Sequence, residues 1–345
     1  MERHRVVVGA GAALAAGCAV RWLAQRIAKK RLWKRLEEDG IAMLDAKWGM
    51  ACRMVHGVPY IGGISVAVVD ALRGKFLPAK TDVFVATYPK CGTTWMQQIC
   101  VLLLNGGQTP VDLQKSAPWI ERQGTSGTVD IDKLNSPAGR RVFKTHAPFA
   151  LAPYKAIGDA KVIYVARNAK DACVSAFFHN RSIPPHHYDG PWDNFVDLYL
   201  EGKIEHGSWF DHHRDWWAAY QKDPEHILWV FYEDLQRDPR ETIKRVAEFL
   251  EVEATDDLLD SVVRGSSFQA MKDQDKVFNF HTMPLKKVDG KQVSHFRVGK
   301  SAGWRDSFSA QQSTRFDRAL FDQLKGCTGL SFDMGLGQSF HAPGN

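Results

Sequence analysis

The sequence has no CxxC pair among its six cysteines, and their spacing carries no disulfide-like rhythm. A framework stapled by cystines is therefore not expected. Cys18, Cys52, Cys91, Cys100, Cys173 and Cys327 read as free thiols of a reducing compartment. No basic stripe with interleaved aromatics is present, which argues against a nucleic-acid surface. Internal repeats and low-complexity linkers are also missing. The histidine doublets His186-His187 and His212-His213 are poor chelators, because adjacent side chains leave a helix or strand on different sides. No metal is expected. The uncharged run Val6 to Val20 falls short of the ~20 apolar residues of a bilayer-spanning helix.

What the chain does have is bulk. Its 345 residues are 44% hydrophobic and 11% aromatic, enough for the core of one large domain. A net charge of +6 suits an anionic small ligand or a membrane surface. Residues 1–40 form a hydrophobic and basic N-terminal segment, in which Arg21, Arg26, Lys29, Lys30, Arg31, Lys34 and Arg35 follow the apolar run. Residues 6–35 could associate with a membrane, act as an organelle presequence, or lie on the surface as a helix. A basic cluster at that place would keep the main domain, residues 41–345, on the cytosolic side. The expected location is cytoplasmic.

From about Thr81 the chain alternates short β-branched runs with amphipathic stretches. "TDVFVATYP", "RRVFKTH", "AKVIYVAR" and "HILWVFYEDL" read as strands; "TTWMQQICVLLLNGG", "NAKDACVSAFFHNR" and "PRETIKRVAEFLE" read as helices. The expected fold is α/β: a central parallel β-sheet flanked by helices, in a single large domain. Segments 180–217 and 271–303 read as long loops. In such folds ligands sit beyond the C-terminal edges of the strands, where each motif below falls.

The stretch "TYPKCGTTWMQQI" holds Lys90, Gly92, Thr93 and Thr94 at a strand-to-helix turn, a natural anion cradle. An ATP-type loop would place its Lys after the second Gly; here Lys90 precedes Gly92. Where a Walker-type enzyme keeps a strand-end Asp for magnesium, "KVIYVAR" ends in Arg167. The site therefore reads as one that holds phosphate with cations and donors. Two residues apart on a strand, Lys144 and His146 would face one cavity. At its ordinary pKa, near 6.5, His146 suits a general base.

These residues resemble a known family. "TYPKCGTTW" is similar to the 5′-phosphosulfate loop of cytosolic sulfotransferases, usually TYPKSGTTW, and "YVARNAKDACVSAFFH" to their 3′-phosphate motif. "FRVGKSAGWRDSFS" resembles their C-terminal RKGxxGDWKNxFT signature, and "KTHAP", "FYEDL" and "SSFQAM" match in order. The resemblance runs from about Val58 to Phe321. It implies a P-loop-like fold and metal-independent sulfation: a sulfuryl group passes from 3′-phosphoadenylyl sulfate (PAPS) to a hydroxyl or amine, leaving 3′,5′-ADP (PAP). The implied acceptor is a small lipophilic phenol, steroid or alcohol. His146 would be the base, assisted by Lys90, Lys144 and Ser175. The donor would be held by Lys90, Cys91, Gly92, Thr93, Thr94, Trp95, Arg167, Ser175, Tyr232, Ser266, Phe268, Met271, Arg297 and Gly299.

Several positions depart from the family pattern. Val298 and Gly303 replace a Lys and an Asp of the C-terminal signature, and "RDSFSAQQST" is a degraded form of the family's dimerisation motif, so a homodimer is possible but not implied. Cys91 stands where Ser is usual; beside Lys90 at a helix N-terminus it is expected to have a lowered pKa and raised reactivity. His186, His187, Tyr188, Trp192, Phe195 and Trp209 could line an acceptor pocket or belong to the core. Two other readings are a Golgi-type carbohydrate sulfotransferase anchored by the N-terminal run and a weakened nucleotide-binding or membrane-tethered scaffold.

Overall fold

The computed structural model describes the chain except residues 1–23, 25–26, 111, 123–129, 137–138, 154–159, 275–284, 291–298, 300 and 345. Two units make it up, Met1–Met43 and Leu44–Asn345. In the first, residues 27–38 are helical, with Lys29 Nζ 4.9 Å from the centroid of the Trp33 ring. The run Val6 to Val20 lies outside the described residues. Among those described, no helix is long and apolar enough to cross a membrane.

Early in the second unit is a hairpin, β1 (Gly49–Val55) and β2 (Val58–Tyr60), paired antiparallel with Arg53 opposite Tyr60. Helix α1 (Val66–Lys75) follows, N-capped by Ser65, whose hydroxyl accepts the Val68 N–H. Then come β3 (Val83–Thr87), α2 (Thr93–Leu104), β4 (Val142–Thr145), β5 (Lys161–Ala166) and α3 (Ala169–Ser182). Next are α4 (Trp192–Leu200), α5 (Trp209–Lys222), β6 (Ile227–Phe231), α6 (Tyr232–Arg237), α7 (Pro239–Phe249), α8 (Asp256–Gly265), α9 (Phe268–Asp273) and α10 (Ala310–Gln323).

Strands β4, β3, β5 and β6 form, in that order, one parallel sheet. The expected architecture is present. Side chains alternate along a strand, so the sheet has two dry faces. Phe84, Phe143, Tyr164 and Trp229 pack on one, under α3 and α5. Val83, Val85, Ile163, Val165 and Val230 pack on the other, under α2, α7 and α8. Every residue of β3 is buried, which is why that strand reads as an unbroken apolar run rather than an alternating one.

Two expectations need correction. Segment 180–217 is not one loop: α4 and the larger part of α5 lie within it. Ser208 caps α5 by accepting the Asp211 N–H, and Phe195, Tyr199, Trp209 and Trp216 are buried. The 3.6-residue spacing of those aromatics outweighs the neighbouring Pro and Gly. The strand in "HILWVFYEDL" ends at Phe231. Tyr232 opens α6, with Glu233 and Asp234 in its first turn, where the helix dipole favours carboxylates. In "RDSFSAQQST", Ser309 and Gln312 form a capping box at the start of α10.

Candidate active site

All four parallel strands end at one edge, and the pairing register sets what meets there. Thr87 pairs with Val165, and Ala166 with Phe231. The next residues, Arg167 and Tyr232, are therefore neighbours across the β5–β6 edge. The Arg167 guanidinium lies 4.2 Å from the centroid of the Tyr232 ring, and its Nη1 donates to the Lys90 carbonyl at 2.9 Å. Trp95 meets the other part of this wall, edge to Tyr232 with ring centroids 5.5 Å apart.

The loop between β3 and α2 is shaped by two left-handed residues, Lys90 at φ +69° and Gly92 at φ +102°. Gly92 is required: a Cβ there would stand 2.7 Å from Tyr232 Cδ2. Gly299 is equally constrained. It has φ +62°, and a Cβ would meet Phe268 Cδ2 at 2.3 Å. Its carbonyl accepts a hydrogen bond from Gln236 Nε2. Phe268 remains more than a third exposed, unusual for a large aromatic and suited to stacking on a flat ring. Trp95 Nε1 is buried without a hydrogen-bond partner among the described residues. Two glycine cradles, an orphaned indole N–H and an exposed Phe beside a buried Arg fit an anionic nucleotide.

On the far side of β3 stands His146. Its Nδ1 lies 2.8 Å from the Thr87 carbonyl and 3.2 Å from Thr87 Oγ1. A carbonyl only accepts, so Nδ1 carries the hydrogen and Nε2 keeps a free lone pair. Thr87 Oγ1 in turn lies 2.6 Å from Thr93 Oγ1, tying the strand end to the first turn of α2. Burial first, and then Lys144 and His206, hold the His146 imidazole well below its ordinary pKa of 6.5. This corrects the expectation of a group poised near 6.5: His146 is neutral across the working range.

Lys144 and His146 do share a neighbour. Lys144 Nζ is 4.4 Å from the centroid of the Trp119 ring, and the His146 ring meets that indole edge-on at 5.0 Å. Burial, followed by Lys90 and Arg122, lowers the Lys144 pKa to about 7. Glu121 is buried beside them. Its Oε1 accepts the Thr145 hydroxyl, and burial raises its pKa to about 7.

Residues 80–328 match the sulfotransferase domain family. The chain is 32% identical over 289 residues to sulfotransferase 1B1 of Canis lupus familiaris, covering 80% of this chain and 94% of that protein. To sulfotransferase 1A1 of Mus musculus it is 32% identical over 278 residues, covering 79% and 94%. Among solved structures, mouse sulfotransferase SULT7A1 complexed with PAP superposes with a TM-score of 0.67. That match is at 26% identity, over 79% of this chain and 94% of that one. The chain belongs to the sulfotransferase family. It is an enzyme that uses PAPS as sulfuryl donor and acts on a small-molecule acceptor.

Within this sulfotransferase, Lys90, Cys91, Gly92, Thr93, Thr94, Trp95, Arg167, Tyr232, Phe268 and Gly299 gather at the sheet edge through the contacts above or by chain position. Ser175 sits half-buried on the second turn of α3 and, among the described residues, hydrogen-bonds none of the other candidates. Ser266 is buried, its hydroxyl donating to the Val262 carbonyl at the end of α8. Met271 is buried in the core layer shared with α2 and α7. Arg297 and Val298 lie outside the described residues. Asp171, one turn beyond Arg167, accepts the N–H groups of Ala302 and Trp304 at 2.7 and 2.9 Å, docking the C-terminal signature on α3.

The reactive-thiol expectation for Cys91 is overturned. Its Sγ is fully buried, 3.8 Å from the Pro89 carbonyl, and burial pushes the thiol up to about 12 despite Arg167 and Lys90. Tyr188, Phe195 and Trp209 are core residues, and His186 Nδ1 bonds Asn180 Oδ1 at 2.6 Å. Sequence reasoning missed Thr87, Trp119, Glu121 and His206. Thr87 could have been flagged as the strand's last residue; the others precede or follow the motifs with no signal of their own.

Proposed function

We propose that His146 is the general base of sulfuryl transfer and that Lys90 and Lys144 carry the developing charge. The observation that carries this reading is the Nδ1 contact of His146 to the Thr87 carbonyl, 2.8 Å, which fixes the tautomer with Nε2 unprotonated. Nε2 takes the proton of an acceptor hydroxyl as its oxygen forms a bond to sulfur. The sulfur–oxygen bond to the donor's phosphate breaks. Lys90 and Lys144 stabilise negative charge on that bridging oxygen and on the sulfuryl group, an effect strongest in a dry site. The donor supplies an activated sulfuryl group. Lys90 to Trp95 would hold its 5′ end, Arg167 and Ser175 its 3′-phosphate, and Trp95, Tyr232 and Phe268 its base, with Gly299 and Arg297 closing over it.

The acceptor proposed is a small phenol, steroid or alcohol, and the catalytic domain is proposed to face the cytosol. All five described cysteines are free and buried, which supports a reducing compartment over the Golgi lumen. Labelled sulfate should pass from PAPS to members of a panel of phenols, sterols and amines in the presence of chelator, and excess PAP should stop it. His146→Ala should lose transfer while still binding PAP. Near-normal turnover in that variant would remove His146 from the role.

A further inference from the structure

His206 is a buried polar side chain to which the proposed transfer step assigns no hydrogen bond. It lies in the turn between α4 and α5, 2% exposed, and neither ring nitrogen has a hydrogen-bond partner among the described residues. Buried side-chain polar atoms are nearly always matched. Its backbone is held in the left-handed region at φ +64°. Two tethers hold it there. The His206 N–H donates to the Pro59 carbonyl at 2.5 Å, and the Gly207 carbonyl accepts the Tyr88 hydroxyl at 2.8 Å. A non-glycine residue kept in that conformation from both sides is positioned, not accommodated.

The imidazole so placed lies beside the proposed base. Its centroid is 5.3 Å from that of His146, 4.8 Å from Tyr60 and 6.0 Å from Trp119. Tyr60 Oη and Glu121 Oε2 are likewise buried without partners among the described residues. Burial first, then His212 and Lys144, keep His206 neutral. It therefore has one donor and one acceptor nitrogen. A neutral imidazole can give one hydrogen bond and take another.

We propose that His206 reads a second hydrogen-bonding group on the acceptor. Among the phenols and alcohols proposed above, those that carry a second hydroxyl or an amine close to the reacting hydroxyl are then preferred over monohydric ones. This rests on His146 holding the reacting hydroxyl. With the two ring centroids 5.3 Å apart and hydrogen bonds of about 3 Å from each, one compact acceptor can reach both rings with two of its polar groups. Replacing a group that the pocket is built to bond leaves buried polar atoms unmatched, which is the strongest form of discrimination a pocket has.

The test is a calorimetric titration of the PAP-loaded, full-length enzyme with 4-methylcatechol and with 4-methylphenol. The wild type should bind the catechol at least tenfold more tightly. His206→Phe, which keeps a ring, and His206→Asn, which tolerates the left-handed turn but withdraws the imidazole, should each bring that ratio close to one. PAP affinity reports whether each variant is folded. Equal binding of the two phenols by the wild type would overturn the proposal, meaning that solvent serves His206. So would a ratio that survives both substitutions, or no binding of either phenol to an enzyme that binds PAP. Because the titration needs no turnover, loss of the base assignment through an active His146→Ala would show separately.

Discussion

Arg167 and Tyr232 are 65 residues apart, yet the Arg167 guanidinium lies 4.2 Å from the Tyr232 ring centroid because Ala166 and Phe231 are paired in the sheet. A planar cation stacked on an aromatic face presents its outer N–H groups in a fixed fork, which an ammonium cannot reproduce. Arg167→Lys should therefore weaken PAP binding by roughly tenfold to a hundredfold, the scale of a lost hydrogen bond to a charged group. Calorimetry would read this directly. Affinity within threefold of wild type would mean that the fork does not hold a phosphate.

The lowered Lys144 pKa, about 7, gives a pH signature. A lysine is charged below its pKa and loses its proton as pH rises through it. In the free enzyme, kcat/KM for PAPS should thus fall on the alkaline side with a midpoint near 7. Lys144→Arg, always protonated, should extend the plateau past that limb. His146, held well below 6.5, should add no acid limb just under neutrality. A wild-type profile that stays flat through the alkaline range would show that the Lys144 charge is not needed.

Gly92→Ala places a Cβ 2.7 Å from Tyr232 Cδ2 at φ +102°. The left-handed strain alone costs about 1–3 kcal/mol, and Tyr232 must also move. Melting temperature and PAP affinity should fall together. A drop in stability with PAP affinity unchanged would separate Tyr232 from the donor site.

Cys91, pushed up to about 12 by burial, should resist alkylation. Iodoacetamide at mildly alkaline pH, followed by peptide mapping, should leave it unmodified in the folded enzyme whether or not PAP is present. Rapid labelling that PAP suppresses would restore the exposed, activated thiol.

Much of the site was legible because its signals are local. Lys90, Gly92 and Thr93 sit within one turn and follow an apolar strand, so order and spacing alone separate them from an ATP loop. Arg167 stood out for ending a buried strand with a charge. The pKa values were not legible. Burial is set by what packs over a residue, so the positive neighbourhood that suggested an activated Cys91 in fact surrounds a thiol too dry to ionise.

The sequence by itself determined the parallel sheet, the anion-binding loop and the cluster of strand-end residues, since apolar runs, glycines and spacing act over a few positions. Only the tertiary structure decided the state of the chemistry. The Thr87 carbonyl fixes the His146 tautomer from 59 residues away. Trp119 brings Lys144 and His146 onto one indole. The hairpin carbonyl of Pro59 turns His206 inward. Tautomer, charge and orientation depend on the partner across a fold, and no window of neighbouring residues contains that partner.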